Sequence, residues 1–426
     1  MKKGIVKFIT LFFIILISVF FGYENPELIE STKSLFQKEE KEKTFKIDDK
    51  QIDEIDVDSQ EKEYHVEAEI KANSFSLKLL KVKTFLEQTA SVFISTKTNG
   101  EEKYKVFTQD GFLIVENDKV KIDLPTFYYD RNIDVEYPSS VLGGIKSVFL
   151  VKKEYYALIS SKKNDCTFAS LISLKTGREL LKSKCLPDPK NINFAGLGAA
   201  YLILNNNLLL SIGTPENNSQ VISELAQNKD SIFGKILNIE TNSLSSNDDK
   251  NIKYNFFSIG HRNPQGLTLL KGDIMSLEHG PQGGDELNKI ISGKNYGWPI
   301  VSYGTRYSDG KSYSTDHLKS NFQEPIFFFT PSVATSALSK CPKNLSDYYQ
   351  NNNCLMGLSL AGRSILIFLL DKENNKVLSV EKIFIGKRLR HFGIKESGDV
   401  FLSNENHFYI TADQDGLYKV KFDKFR

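Results

Sequence analysis

Short β-rich runs broken by turn residues fill the chain from about residue 64 to its end, and almost no helical periodicity interrupts them. SVFISTKTNG, KVFTQDGFLIVENDKVKI, SVFLVKKEYYALISS, AAYLILNNNLLLSIG and DGLYKVKF are representative. Asn-Gly, Asp-Gly, Gly-Asp and Asn-Asn-Asn stand between such runs and supply hairpin turns. SELAQNKDSIFG is one of few helical candidates. Strands at this density, without alternating helices, define an all-β chain and point to a sandwich, a barrel or a propeller. About 360 residues shared among six blades would give ~60 each, roomy beside the ~40–45 of compact blades. The pattern alone does not choose among the three. The 30 Phe and 18 Tyr provide ample core material.

The first 63 residues have a different character. Lys2, Lys3 and Lys7 precede an uncharged run, FITLFFIILISVFFGY, from Phe8 to Tyr23. Positive charge followed by a short apolar run is an export signal. The flank after it has no good small-x-small cleavage site, so residues 4–23 are expected to anchor the protein, with a cleaved signal peptide as the alternative. Lysines ahead of the span stay cytoplasmic. That places the remainder on the periplasmic face of the inner membrane, or free in the periplasm after cleavage. Sixteen of the 25 residues in 38–62 are charged, with mixed signs. Such a segment cannot bury enough apolar area to offset its chain entropy and reads as a solvated linker. The expected organisation is a targeting segment (1–23), a charged linker (24–63) and a β domain (64–426).

Lys plus Arg is 55 against 53 for Asp plus Glu, a formal charge of +2 that argues against an electrostatic nucleic-acid binder. No second long apolar run follows the first, so membrane contact is expected through the N-terminal segment only. Four cysteines, Cys166, Cys185, Cys341 and Cys354, allow three pairings. The sequence-local one, 166 with 185 and 341 with 354, is the simplest, and export favours disulfides.

Residues 256–304, FFSIGHRNPQGLTLLKGDIMSLEHGPQGGDELNKIISGKNYGWPIVSYG, carry the densest unusual chemistry. They hold His261, His279, Arg262, the only Trp and the adjacent acids Asp285 and Glu286. A strand, KGDIMSLE, leads into the Gly-rich loop, and strand-end loops are where sites form. On composition alone, Arg262 has Asp285 or Glu286 as ordinary ion-pair partners, Tyr296 and Trp298 read as packing residues, and His261 as support for its turn.

The motifs GHRNPQGL, EHGPQGGDELN and GKNYGWPIVSYG, in that order and at tight spacing, resemble the PQQ-dependent soluble aldose sugar dehydrogenases, the glucose/sorbosone dehydrogenase family. FGKILNIE (233–240), PSVATSAL (331–338) and RLRHFGI (388–394) are weaker matches, and the resemblance covers about residues 190–426. It implies a six-bladed β-propeller that carries the quinone PQQ and calcium on one face, with a sugar as substrate. PQQ is a tricarboxylate ortho-quinone, and guanidinium groups and planar amides suit its rim. By resemblance Arg262, Asn263, Gln265, His279, Arg388 and Arg390 hold cofactor positions. Gly280 and Pro281 correspond to main-chain ligands of the catalytic calcium, and Asp285, Glu286 and Tyr296 fall at or near a structural one.

The chain also departs from the family. The family's base, a His that takes the sugar hydroxyl proton, falls at Asn193 in NFAGLGAAYLILNNNLLLSIGT, and no His stands between His65 and His261. Asn cannot accept a proton at neutral pH, and losing a general base costs ~10²–10⁴ in rate. Leu197 replaces an Arg, Ala361 a cofactor Lys, Gln282 an Arg and His391 an Asp. Glu216 and His391 are rival bases. The expectation is a PQQ- and calcium-dependent sugar dehydrogenase-like propeller with impaired catalysis. The alternative is a non-catalytic, membrane-tethered propeller that binds a protein or glycan partner.

Overall fold

A computed structural model describes residues 44–45 and 66–425, apart from residues 74, 86, 98–100, 117, 131–142, 217, 246–251, 318–320, 398 and 403–406. The targeting segment and nearly all of the linker lie outside the described residues. Among the described residues no helix is long and apolar enough to cross a membrane.

Six antiparallel sheets of four strands make up the domain, and two carry an outer fifth strand: Thr44–Phe45, parallel, on the first and Val66–Lys71 on the sixth. Their first strands are Thr89–Thr96, Ile145–Val151, Gly198–Leu204, Pro264–Leu270, Thr335–Lys340 and Leu389–Ile394. Each of these packs against the first strand of the next sheet. The last packs against the first, through the parallel pairs Gly393–Val92 and Ile394–Phe93. The ring therefore closes, and the fold is a six-bladed β-propeller. Closure uses strands distant in sequence. The sixth blade takes its fourth strand, Phe75–Thr84, from the start of the domain and pairs it antiparallel with Gly416–Phe425. Residues 64–190, where the sequence matches the family poorly, thus supply this strand and the first two blades. Of the helical candidate SELAQNKDSIFG only the start is helical: an α-turn, Gln220–Ser223, precedes it and ends on its first residue, a 3-10 turn, Glu224–Ala226, follows, and the rest is turn and coil.

Blades sit face to face, so a middle strand is covered on both sides and its sequence loses polar alternation. Asn353–Ser359 (NCLMGLS) is buried at every position, and Ser364–Leu370 (SILIFLL) at all but one. Phe149, Tyr156, Leu171, Leu210 and Leu237 make one such interblade core between the second and third blades. The disulfides are the sequence-local pair, Cys166–Cys185 and Cys341–Cys354.

The seam between the first and sixth blades carries a charged network. Glu102, on the second strand of the first blade, receives His407 Nε2 at 2.8 Å, Lys419 Nζ at 3.1 Å and the Tyr409 hydroxyl. Burial opposes ionisation, but these three donors prevail and hold the Glu102 carboxyl at about 2 against its usual 4.5. A depressed carboxylate pKa stabilises the fold above the unfolded value and loses that contribution as pH falls. Glu102→Gln should therefore cost about 2–3 kcal/mol at pH 7. Urea titrations should show the gap between wild type and variant closing between pH 4.5 and 2. A gap constant across that range would refute the assignment.

Candidate functional site

All six first strands start at the same end of the ring. The loops leading into them, and the turns between second and third strands, gather there around the mouth of a central channel. The informative segment folds into two of these loops, 260–263 and 279–284. Gly260 makes the first turn at φ 77°, where a Cβ would come within 2.1 Å of Asn295 Oδ1, so only glycine fits. The two side chains after it diverge.

His261 turns inward and is fully buried. Its Nδ1 lies 2.6 Å from Glu278 Oε1, its Nε2 2.8 Å from Ser258 Oγ, and its ring stacks on Tyr296 with centroids 4.6 Å apart. A carboxylate can only accept, so Nδ1 donates and Nε2 accepts from the serine. With both nitrogens engaged, His261 is a strut, as the sequence suggested. Tyr296 also packs. Its hydroxyl donates to the Lys289 carbonyl at 2.7 Å and accepts from the Ile291 amide at 3.0 Å.

Arg262 turns to the mouth. It donates to the carbonyls of His279 (3.1 Å) and Gly280 (2.6 Å), faces Glu216 Oε1 at 3.4 Å and lies 5.3 Å above the Trp298 ring. Its ion-pair partner is thus Glu216, not Asp285 or Glu286. Its Nε is buried with no hydrogen-bond partner. Trp298 Nε1 in turn donates to Thr214 Oγ1 at 3.1 Å.

Asn263 braces the loop that contains Asn193. Its Oδ1 accepts from the Gly198 amide (3.0 Å), and its Nδ2 donates to the Ala195 carbonyl (3.2 Å), which Gln265 Nε2 also reaches at 3.3 Å. Asn193 caps the turn Phe194–Leu197, with its Oδ1 accepting from the Ala195 amide at 2.9 Å. Burial lowers the pKa of His279, with the charges of Arg262, Arg390 and Arg388 adding to the effect and Asp285 opposing it. Residues separated by more than 120 positions therefore converge on one imidazole.

Asp285 is saturated. Oδ1 accepts from the Gly280 amide (2.9 Å) and the Ser332 hydroxyl (2.5 Å), and Oδ2 from the amides of Val333 (2.8 Å) and Ala334 (2.7 Å). Four donors on two oxygens tie the Gly-Pro loop to the loop entering the fifth blade and leave no lone pair for a metal. The Gly280 carbonyl accepts from Arg262 and keeps its second lone pair. Glu286 retains capacity. Burial, with Glu278 facing it, pushes its carboxyl up to about 8, and Asn288 Nδ2 bridges the two acids at 3.1 and 3.4 Å. Among the described residues no group of three or more His, Cys, Asp or Glu is placed to hold a metal.

Inside the mouth, the starts of all six first strands line a cavity of about 110 Å³. Gln265, Arg390, His391 and Lys146 face it. Arg390 forms a two-pronged pair with Asp413, through Nε to Oδ1 and through a second nitrogen to Oδ2 at 2.5 Å. Arg388 Nε stands 4.0 Å from the same carboxylate. Burial, then Arg390 and Lys146, lower His391 to about 3. A second cavity, about 560 Å³, opens beside Arg262 and Glu216 between Gln220, Ile300, Tyr307 and Tyr313. The donors of the first space suit a planar anion: the Arg390 guanidinium, the Lys146 ammonium and the amides of Gln109 and Gln265 line it, and Lys146 makes no hydrogen bond among the described residues. Arg262, with its unpartnered Nε, lines a separate, smaller cavity beside His279 and Gly280. Sequence reading missed Lys146, Asp413 and Glu278. Lys146 left one trace, a lone charge in the otherwise apolar strand GGIKSVFLV.

The closed six-bladed ring defines a propeller with a donor-lined cavity at one end of its channel. The chain belongs to the glucose/sorbosone dehydrogenase family, which matches residues 189–409. It is 32% identical to aldose sugar dehydrogenase YliI of Escherichia coli over 223 residues, half of this chain and 56% of that protein. It is 33% identical to an uncharacterised protein of Synechocystis over 219 residues, 49% of this chain and 50% of that one. The chain thus spans about half the length of the curated relatives it matches. The fold extends further. The apo soluble aldose sugar dehydrogenase of Escherichia coli superposes with a TM-score of 0.60 at 19% identity, covering 81% of this chain and 99% of the other. The PQQ-bound aldose sugar dehydrogenase of Streptomyces coelicolor does so with a TM-score of 0.51 at 16% identity, covering 83% of this chain and all of that one.

Proposed function

We propose that this protein is an exported, PQQ-binding propeller of the sugar dehydrogenase type whose power to oxidise aldoses is crippled by Asn193. The observation that carries the reading is the channel cavity lined by Gln265, Arg390 and Lys146, beside which the charges of Arg262, Arg388 and Arg390 all act on His279. When bound, the quinone would supply the two-electron acceptor for the sugar's C–H hydride. The chain's own residues would do the rest. Arg388 and Arg390 hold the anionic rim, Gln265 offers an amide to it, and the Arg262–Trp298 pair walls the side next to the larger cavity. That cavity suits a sugar or a short glycan. Tyr307 and Tyr313 give flat apolar faces, and Glu216, Gln220 and Glu224 give hydroxyl partners.

The missing element is a proton acceptor. Asn193 has no basic atom. Glu216 is committed to Arg262, and His391, lowered to about 3, is too weak a base at neutral pH. A glycan-binding role without turnover is the second reading, favoured by this absence together with the open aromatic cavity. Calcium is proposed at the Glu278–Glu286 pair, where a divalent cation would favour ionisation of the raised acid. Export, with residues 4–23 as signal or anchor, accords with two disulfides in a chain without free thiols.

The test is calorimetric and absorbance titration of the full chain with PQQ, with and without calcium, followed by a dye-reduction screen with aldoses. Sub-micromolar binding with dye reduction close to background is expected. Failure to bind at high micromolar PQQ, in a folded and calcium-loaded sample, would refute the cofactor reading.

A further inference from the structure

Two lysines of the propeller are held in desolvated surroundings, and burial brings the pKa of each down to about 7. Their settings differ. Lys235 is the ordinary structural case. Its ammonium donates to the carbonyls of Leu225, Ala226 and Phe233 at 2.8–2.9 Å, which uses all three protons and pins the 224–226 turn to the third blade. Lys146 has nothing comparable. It is the second residue of the first strand of the second blade, between the buried Ile145 and Ser147, and it lines the channel. Among the described residues it makes no hydrogen bond and no ion pair.

The charges around Lys146 do not relieve it. Arg390 repels it, and His391 is kept neutral by the same burial. Asp413 is the one carboxylate whose charge acts on it, and both oxygens of Asp413 are already held by Arg390, with Arg388 next to them. Three cations thus share one acid. Lys146 is half-buried, and an ammonium withdrawn from water without a partner weighs against the fold; in a cavity such a group signals a ligand of opposite charge.

We propose that Lys146 is a carboxylate-binding residue of the channel, clasping one acid group of the bound quinone from the second blade while Arg390 holds it from the sixth. The inference rests on the cofactor reading above and adds to it a residue that the linear motifs do not contain. It also assigns a cost. The apoprotein carries Lys146 at the expense of its own stability, and the ligand's negative charge restores the balance.

The experiment compares PQQ binding by the full-length wild type, Lys146→Met and Lys146→Arg at pH 7, together with their melting temperatures without ligand. Met keeps the length of the stem and removes the charge; Arg keeps the charge. Lys146→Met should weaken PQQ binding about tenfold or more, while Lys146→Arg stays within about threefold of wild type. Ligand-free Lys146→Met should melt above wild type, a shift that a merely structural lysine such as Lys235 would reverse. Lys146→Gln replaces the Met variant if the latter does not fold. Equal PQQ affinity in wild type and Lys146→Met would overturn the assignment and leave the cofactor reading intact. No PQQ binding by the wild type would overturn both.

Discussion

Asp285→Ala should destabilise the propeller by about 3–5 kcal/mol whether or not calcium is present. The sequence places this acid beside candidate calcium ligands, where its loss would remove a calcium dependence of melting. The structure gives it a different job. Its two oxygens hold three backbone amides and one hydroxyl from two loops, and its side chain is fully buried. Truncation strands the amides of Gly280, Val333 and Ala334 away from water, and each unsatisfied group costs about 1–3 kcal/mol. The Gly-Pro loop would lose its attachment to the fifth blade, so the His279 and Gly280 carbonyls that receive Arg262 would drift. PQQ affinity should fall together with stability. Thermal melts of Asp285→Ala in calcium and in chelator decide the matter. An equal drop in both media supports the hub. A drop confined to the calcium sample would restore Asp285 as a metal ligand.

This residue illustrates what linear sequence conveys. The segment 256–304 is legible because two loops that meet in space also lie close in the chain, so their residue types mark a site before any fold is known. The partners that give those residues their roles come from elsewhere: Ser332 and Val333 for Asp285, Glu216 for Arg262, Asp413 for Arg390. Sequence reading accordingly singled out a segment whose residues the fold brings together, and gave Arg262 the wrong ion-pair partner. Likewise, hairpin chemistry shows strands everywhere, yet ring closure depends on Phe75–Thr84 meeting Gly416–Phe425, a pairing across most of the chain with no local signature. Glu278 was overlooked because its meaning depends on His261 folding back over 17 residues to meet it. Lys146 was overlooked because a single lysine in a strand is ordinarily a solvated one, and only the channel shows that this one is not.

Asn193→His is the substitution expected to change activity most, raising sugar-dependent dye reduction about 10²-fold or more in the PQQ-loaded protein. Asn193 begins the turn that leads into the third blade's first strand, and that turn is tied through the Ala195 carbonyl to Asn263 and Gln265, two positions of the cofactor motif. An imidazole there has an ordinary pKa near 6.5 and is mostly a free base at pH 7.5. It would supply the acceptor that neither Glu216 nor His391 provides. The cost is local. The Asn193 cap on the Ala195 amide is lost, about 1 kcal/mol, small beside the stability of a closed ring with two disulfides. The rate gain should appear in kcat with PQQ affinity unchanged, and it should follow a single ionisation near pH 6.5 that the wild type lacks. If Asn193→His binds PQQ as the wild type does and still reduces no dye with any aldose, the deficit does not lie in the base. Arg262, Arg390 and the aromatic cavity would then form a binding site for which proton transfer is irrelevant, and the glycan reading would take precedence over the enzymatic one.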